Sequence, residues 1–216
     1  MIITWLGHSC FKLQDKTGAD GVTLITDPYS KETGLKLPSL EAELVTISHD
    51  HQDHNNISAV KGNPFVIDRA GEYDVKGIFV EGVDSYHDQV KGKERGANVI
   101  YRMEIEDISI AHLGDLAHAL DDTELEKLVG TDILLIPVGG FYTLDAKKAV
   151  EVISQIEPRI IIPMHYRHPD LKLSHELDDV DKFIKELGIK PTYEEKLKIS
   201  KKDLPSEEME LVILSF

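Results

Sequence analysis

The run His49-Asp50-His51-Gln52-Asp53-His54 places three imidazoles and two carboxylates within six positions, directly after the apolar stretch Leu44-Val45-Thr46-Ile47. Histidine and aspartate hold divalent metal ions, and imidazole is the commonest ligand of catalytic zinc. In an extended backbone, side chains two apart leave on the same side, so His49 and His51 could grip one ion. Asp53 and His54 follow where the chain is expected to turn into a short helix, which would aim them at a second position. The alternative is a polar surface loop rich in histidine by chance.

Other histidines and aspartates stand at or shortly after the ends of apolar strands, and in sheet proteins such ends can converge on one edge. Leu24-Ile25-Thr26 leads to Asp27, and Val45-Thr46-Ile47-Ser48 leads to His49. Phe79-Val80 leads through Ser85-Tyr86 to His87, Ile108-Ser109-Ile110 through His112 and Gly114 to Asp115, and Ile160-Ile161-Ile162-Pro163-Met164 to His165. One histidine after one strand is as readily a hydrogen-bonded structural residue. Together with the His49 to His54 cluster, the pattern makes His87, Asp115 and His165 candidate ligands. His112 shares strand parity with Ile108 and Ile110 and reads as packed and hydrogen-bonded, whereas His168 and His175 read as surface residues.

The elements that must position these groups are legible from apolar patterning. Strands are expected at Ile2 to Trp5, Cys10 to Leu13, Val22 to Thr26, Leu44 to Ile47, Phe65 to Ile67 and Ile78 to Val83. More follow at Asn98 to Met103, Ile108 to His112, Ile133 to Ile136, Arg159 to Ile162 and Glu210 to Leu214, and a turn is expected around Gly18-Ala19-Asp20-Gly21. Thr143 could cap a helix from about Leu144 to Ile156, with Ala146, Ala149, Val150, Ile153 and Ile156 on one face. Shorter helices are expected over Thr123 to Leu128 and Asp179 to Leu187, the latter stopped by Gly188. Sheet-rich at first and alternating later, the chain reads as sheets covered by helices on their outer faces.

Composition narrows the function classes. A length of 216 residues with 41% hydrophobic content suits one domain spanning residues 1–216. Lys and Arg number 24 against 39 Asp and Glu, and the formal charge of -15 opposes general binding to nucleic acid or anionic membranes while leaving room for a small, metal-held anionic substrate. Cys10, the only cysteine, cannot form an internal disulfide and reads as a small buried apolar residue. The N-terminus lacks the pattern of a signal peptide, and no apolar run approaches the roughly 20 residues that span a bilayer. A cytoplasmic protein is the expectation.

The chain resembles members of the metallo-β-lactamase superfamily, in particular the small hydrolase branch related to ascorbate-6-phosphate lactonases. The resemblance rests on the HxHxDH pattern at His49 to His54, on Trp5-Leu6-Gly7-His8-Ser9, Thr26-Asp27-Pro28 and Gly71-Glu72-Tyr73, and on His112-Leu113-Gly114-Asp115-Leu116, Pro137-Val138-Gly139-Gly140 and Pro163-Met164-His165-Tyr166. Asp68-Arg69-Ala70 departs from relatives that carry a proline beside the glycine. The resemblance implies an α+β fold, the four-layer αββα sandwich, with the site at one edge of two packed sheets. It also implies that His49, His51 and His87 hold a first metal, that Asp53, His54 and His165 hold a second, and that Asp115 bridges them.

Two divalent ions about 3.5–4 Å apart can share a water and lower its pKa from near 15.7 toward about 7, so that a metal-bound hydroxide is available as nucleophile. Asp53 could ligate the second ion and relay the proton. Related diiron redox proteins carry a carboxylate where this chain has His51, so the imidazole favours hydrolysis with zinc, or manganese as the other candidate. Asp27 reads as the hydrogen-bond partner of a ligating imidazole, or as a plain turn carboxylate before Pro28. His8 and His118 are open between lining the pocket and serving structure, and Tyr166 could reach the pocket. Gly139-Gly140 could offer free N–H groups to an anion or be a simple turn, and Lys91, Lys93 and Arg95 could close over a phosphate or carboxylate or be a solvated loop. The leading function is hydrolysis of a small ester, lactone or phosphoester. A phosphodiesterase or nuclease with the same dinuclear site and a metal-binding protein without turnover are the alternatives.

Overall fold

The computed structural model of the chain describes residues 1–15 and 21–216; the turn expected at Gly18 to Asp20 lies outside the described residues. In chain order the strands are β1 (Ile2–Trp5), β2 (Phe11–Gln14), β3 (Thr23–Thr26), β4 (Leu40–Glu41), β5 (Leu44–Thr46), β6 (Val60–Lys61), β7 (Phe65–Ile67) and β8 (Gly71–Val75). They continue with β9 (Ile78–Tyr86), β10 (Ala97–Ile105), β11 (Ile108–His112), β12 (Ile133–Pro137), β13 (Ile160–Met164), β14 (Thr192–Glu194), β15 (Leu197–Lys198) and β16 (Glu210–Leu214). The α-helices are α1 (Asp122–Leu128), α2 (Ala146–Ile156) and α3 (Val180–Leu187). None is long and apolar enough to cross a membrane.

Among the described residues these strands form a six-stranded sheet, β15-β1-β2-β3-β5-β7, and an eight-stranded sheet, β14-β16-β13-β12-β11-β10-β9-β8. Each sheet joins an antiparallel meander to parallel strands: β1-β2-β3 passes into β3-β5-β7, and β9-β10-β11 into β11-β12-β13. The strands β9, β11 and β13 therefore run in the same direction and deliver their C-terminal ends to one edge. In the other sheet β3 and β5 do the same.

Burial explains which strands were legible. In β1 and β2 residues alternate, with Ile3, Trp5, Phe11 and Leu13 buried on the inner face. The strands β11, β12 and β13 are buried throughout, and β12 and β13, parallel strands covered on both faces, read as continuous apolar runs. The strand β8 carries no apolar signal because it is a largely exposed polar edge strand, and β14 carries none because all three residues are exposed. Ile78 begins a strand that runs through Tyr86 instead of stopping at Val83, so His87 follows it directly.

The helices α1, α2 and α3 pack against the eight-stranded sheet and one another. The outer face of the six-stranded sheet is covered differently: Ile25, Val45 and Cys10 pack against Tyr29, Leu35, Leu40 and Val60, which come from loops, short 3₁₀ turns and the small β4-β6 pair. The fourth layer of the αββα sandwich is thus thin, in a segment broken by Pro28, Gly34 and Pro38. Helix α2 also starts later than expected. Asp145, not Thr143, is its N-cap and accepts from Lys148 N, while the Thr143 hydroxyl bonds the Gly140 carbonyl. It buries Val152 where Val150 was expected.

Hydrogen bonds that cross between the sheets lock their site edges together. The buried Tyr101 hydroxyl on β10 lies 2.8 Å from the Ile47 carbonyl and 3.0 Å from that of Ile67. Val99 N donates to Ser48 O, and His112 Nε2 donates to Ser9 O at 2.8 Å. His112 thus has the structural role expected of it, and its neutral ring also accepts from Gly114 N.

Candidate metal centre

The converging strand ends bring the candidate ligands together from across the chain. One ligand atom each from His49, His51 and His87 lie within 4.8 Å of one another, as do those of a second group, His8, Asp53, His54 and His165. A third group of the same tightness, His49, His54 and Asp115, takes one member from each. Asp115 therefore stands where the two meet. Its Oδ2 is 3.1 Å from His87 Nε2, 3.3 Å from His165 Nε2 and 3.8 Å from His49 Nε2, and its Oδ1 is 3.4 Å from His54 Nε2.

Local backbone geometry aims these groups. Asp27, His8 and His165 all adopt left-handed backbone with φ of 39°, 54° and 52°. For a non-glycine residue this costs roughly 1–2 kcal/mol, a strain held in place by the surrounding contacts and concentrated here at the site. Two glycines are needed for close approach. A Cβ on Gly114, which has φ of +55°, would lie 2.3 Å from Asn98 Oδ1 and 2.6 Å from Ser48 Cβ, and one on Gly139 would lie 2.2 Å from the His165 carbonyl oxygen. The segment around Asp53 forms a hydrogen-bonded turn, with His54 N donating to His51 O, and not the short helix expected.

The imidazoles are oriented from behind. Asp27, fully buried, accepts from Ser48 N at 2.8 Å, from the Ser48 hydroxyl at 2.6 Å and from His54 Nδ1 at 2.8 Å. Ser48 Oγ in turn accepts from His49 Nδ1 at 2.9 Å. Both rings therefore carry their proton on Nδ1 and turn Nε2 toward Asp115, and His87 does likewise by donating Nδ1 to the Tyr142 carbonyl at 3.2 Å. Asn98 completes the support: its Oδ1 accepts from Asp115 N, and its amide donates to Ser85 Oγ and Leu113 O. Ser48 and Asn98 escaped sequence reasoning. Ser48 adjoins His49 and could have been suspected; Asn98 looks like any polar residue at a strand start.

The donor set fits a divalent cation. Among the described residues, the buried polar atoms without a hydrogen-bond partner include His49 Nε2, His54 Nε2, His165 Nδ1, His8 Nδ1 and Asp115 Oδ1. Each such atom costs about 1–3 kcal/mol in a folded interior, so this concentration in one place is what ligands aimed at an ion leave behind. The electrostatics agree. Although burial opposes charge, in the metal-free pocket Asp115 and Asp27 hold the His54 imidazole well above its ordinary pKa, because two flanking carboxylates favour positive charge there. Burial and the charge of His54 push His49 well below its ordinary value, leaving it neutral and fit to ligate. Asp115 and Asp53 are held ionised against burial, Asp115 by His165 and His54, Asp53 by its hydrogen bond from His8 at 3.2 Å.

The remaining candidates divide between the cluster and its surroundings. His8 contacts Asp53 and packs, with its ring tilted, against His165 at 4.2 Å between centroids, inside the cluster. His118 lies outside it, since Nε2 accepts from Tyr86 N and Nδ1 donates to Ala119 O, so the ring braces the strand that presents His87. Tyr166 packs on Trp5 at 5.0 Å instead of entering the cluster. His175, expected at the surface, is half-buried and stacks on Phe141 at 4.3 Å, whereas His168 lies against Phe216. Gly140 N is not available to an anion because it donates to Leu144 O. Lys91 and Lys93 are exposed, but Arg95 lies over the Tyr142 ring.

Comparison with known proteins places this geometry in context. The family model for the β-lactamase superfamily domain matches residues 2–165. A UPF0173 metal-dependent hydrolase of Staphylothermus marinus is 31% identical over 196 residues, covering 76% of this chain and 83% of the relative. Another from Methanopyrus kandleri is 27% identical over 88% of this chain and 94% of its own. A crystal structure of a candidate Zn-dependent hydrolase of the metallo-β-lactamase superfamily from Thermotoga maritima superposes with a TM-score of 0.80 at 36% identity, covering 99% of this chain and 98% of that one.

Proposed function

The chain belongs to the metallo-β-lactamase superfamily, among its metal-dependent hydrolases, and from that premise we propose that it is a dinuclear enzyme acting on a small ester, lactone or phosphoester. His49, His51 and His87 would hold one ion, Asp53, His54 and His165 the other, and Asp115 would be shared, with zinc the first choice for an imidazole and carboxylate set and manganese the second. When bound, such ions supply Lewis acidity, lowering the pKa of water and drawing electron density from a carbonyl or phosphoryl oxygen. The observation that carries the reading is Asp115, whose carboxylate lies 3.1 Å from His87 Nε2 of one donor group and 3.3 and 3.4 Å from His165 Nε2 and His54 Nε2 of the other.

The protein's own groups have separable tasks. Asp53 is partly exposed beside the cluster, and its Oδ2 is the proton acceptor, kept ionised and oriented by His8 Nε2. His8 is a positioning residue; burial pushes its pKa down to about 4, so it donates as a neutral ring. Asp27 and Ser48 hold the tautomers of His54 and His49. A small substrate suits the cleft of about 320 Å³ beside His87, and the charge of -15 disfavours a nucleic-acid polyanion. We take the cytoplasm as its setting, with Cys10 buried and unpaired as support.

The test combines metal analysis with turnover on a panel of lactones, esters, thioesters and phosphodiesters, with and without chelator. Chelator-sensitive turnover and two metal equivalents per chain are expected, and Asp115→Ala should lose metal and activity together. Full activity in the Asp115→Ala protein would overturn the shared-ligand assignment.

A further inference from the structure

Arg95 stands at the mouth of the metal centre without a charge partner. Its guanidinium carbon lies 3.7 Å from the centroid of the Tyr142 ring, and the Tyr142 carbonyl is the group that orients His87. Among the described residues Arg95 makes no ion pair, and its Nε is buried without a hydrogen-bond partner. In a chain of net charge -15 a half-buried arginine left unpaired is unusual, because carboxylates abound and a buried guanidinium N–H is costly to leave unmet.

The loop that carries Arg95 is built to hold it there. The Asp88 carboxylate accepts from the backbone N–H groups of Val90, Gly92, Glu94 and Arg95 at 2.8–2.9 Å. These four donors satisfy the Asp88 carboxylate, so the loop is fixed around a charge that needs nothing from the Arg95 guanidinium. Asp145 on the opposite wall of the cleft is likewise engaged, as the N-cap of α2, while Lys148 adds a second positive group there. Glu94, also lining this cleft, does not pair with Arg95. An apolar wall completes the entrance: Phe141, 62% exposed, is sandwiched edge-on by Tyr142 and face-on by His175.

From this arrangement we infer that Arg95, seated on Tyr142 beside His87, is the specificity-determining residue that takes an anionic group, carboxylate or phosphate, on the substrate. A guanidinium meets either oxyanion through paired N–H donors, and stacking on an aromatic ring pre-orients its plane. The natural substrate class is then a small ester, lactone or phosphoester that carries an oxyanion a short distance from the scissile bond. This deepens the hydrolytic reading above and rests on it for the bond that is cleaved, but not for the anion site itself.

The test separates the two. Benzoate and phenyl phosphate are titrated calorimetrically into the zinc-loaded full chain and into its Arg95→Met and Arg95→Lys variants, with zinc content measured in each. Loss of a charge-assisted pair predicts affinity roughly 10- to 100-fold weaker for Arg95→Met, with Arg95→Lys between. The probe that loses more identifies the group as carboxylate or phosphate. In parallel, the ratio of kcat/KM for monophenyl succinate over phenyl acetate should fall in Arg95→Met. Failure of the wild type to bind either probe, or equal binding by Arg95→Met at equal zinc content, overturns the inference. Arg95-dependent binding in a protein that hydrolyses nothing in the panel would sink the hydrolytic reading and leave the anion site standing.

Discussion

Replacing Asp27 by Asn changes one atom of a fully buried side chain and should invert the tautomer of His54. Asp27 offers two acceptor oxygens to three donors: Ser48 N on Oδ1, and the Ser48 hydroxyl and His54 Nδ1 on Oδ2. Asparagine has one acceptor and an NH₂, and it tolerates the left-handed φ of 39° found here, so the backbone should survive. If the amide oxygen stays with Ser48 N, the NH₂ faces His54 Nδ1, and the ring must move its proton to Nε2, the nitrogen that faces Asp115. If the amide turns the other way, the NH₂ confronts Ser48 N instead. Either arrangement forfeits a charge-assisted hydrogen bond, about 1.5–3 kcal/mol. At roughly 2–4 °C per kcal/mol for a chain of this size, the metal-free melting midpoint should drop by about 3–12 °C. Metal affinity should fall by about 10–100-fold, as is typical when the partner of a ligating histidine is changed. Chelator competition measures the affinity, and long-range ¹⁵N–¹H correlation of the ring nitrogens reads the tautomer directly. Wild-type affinity with the Nδ1–H tautomer retained in Asp27→Asn would refute the claim that this carboxylate sets the ligand's orientation.

Two further predictions follow from the same geometry. Gly114→Ala drives a Cβ to 2.3 Å from Asn98 Oδ1 at a φ of +55°, so it should destabilise the protein by several kcal/mol (order of magnitude from strain and overpacking) and displace Asp115; urea unfolding and metal content check both, and wild-type values would contradict the packing described. For the metal-free protein, His8 sits at about 4 in the fold against 6.5 when unfolded, chiefly through burial, while His49 and His112 are also lowered by burial. A group with a depressed folded pKa contributes stability that is complete above pH 6.5 and lost as pH falls toward its folded value. For His8 this is roughly 3 kcal/mol at 1.36 kcal/mol per pH unit. His54 is raised and works in the opposite direction, its contribution being full below pH 6.5 and lost as pH rises through its folded value. The His54 contribution does not change below pH 6.5, so the lowered histidines set the sign there and the melting midpoint should fall from pH 6.5 to 4; a flat or rising profile would refute the burial assigned to them.

Several features were legible in the residues because their cause is local. The ligand cluster from His49 to His54 needs only its own spacing, and strands such as Ile133–Pro137 and Ile160–Met164 declare themselves by continuous apolar runs. The capped ends were less legible. Asp145 rather than Thr143 caps α2, since either residue type can cap and the choice depends on where the loop leaves the sheet. The strand β8 was hidden because an exposed edge strand has no apolar period to reveal it.

Residue types and their order along the chain were enough to name the ligand candidates and the chemistry they suit. Only the tertiary structure decided that Ser48 and Asn98 orient them, that His118 and Tyr166 stand aside, and that Arg95 meets Tyr142 at the entrance. The physical reason is range. Ligand chemistry and strand periodicity belong to short stretches of chain, whereas a contact such as His112 with Ser9, 103 residues apart, exists only after strand pairing and sheet packing have selected which distant backbones lie side by side.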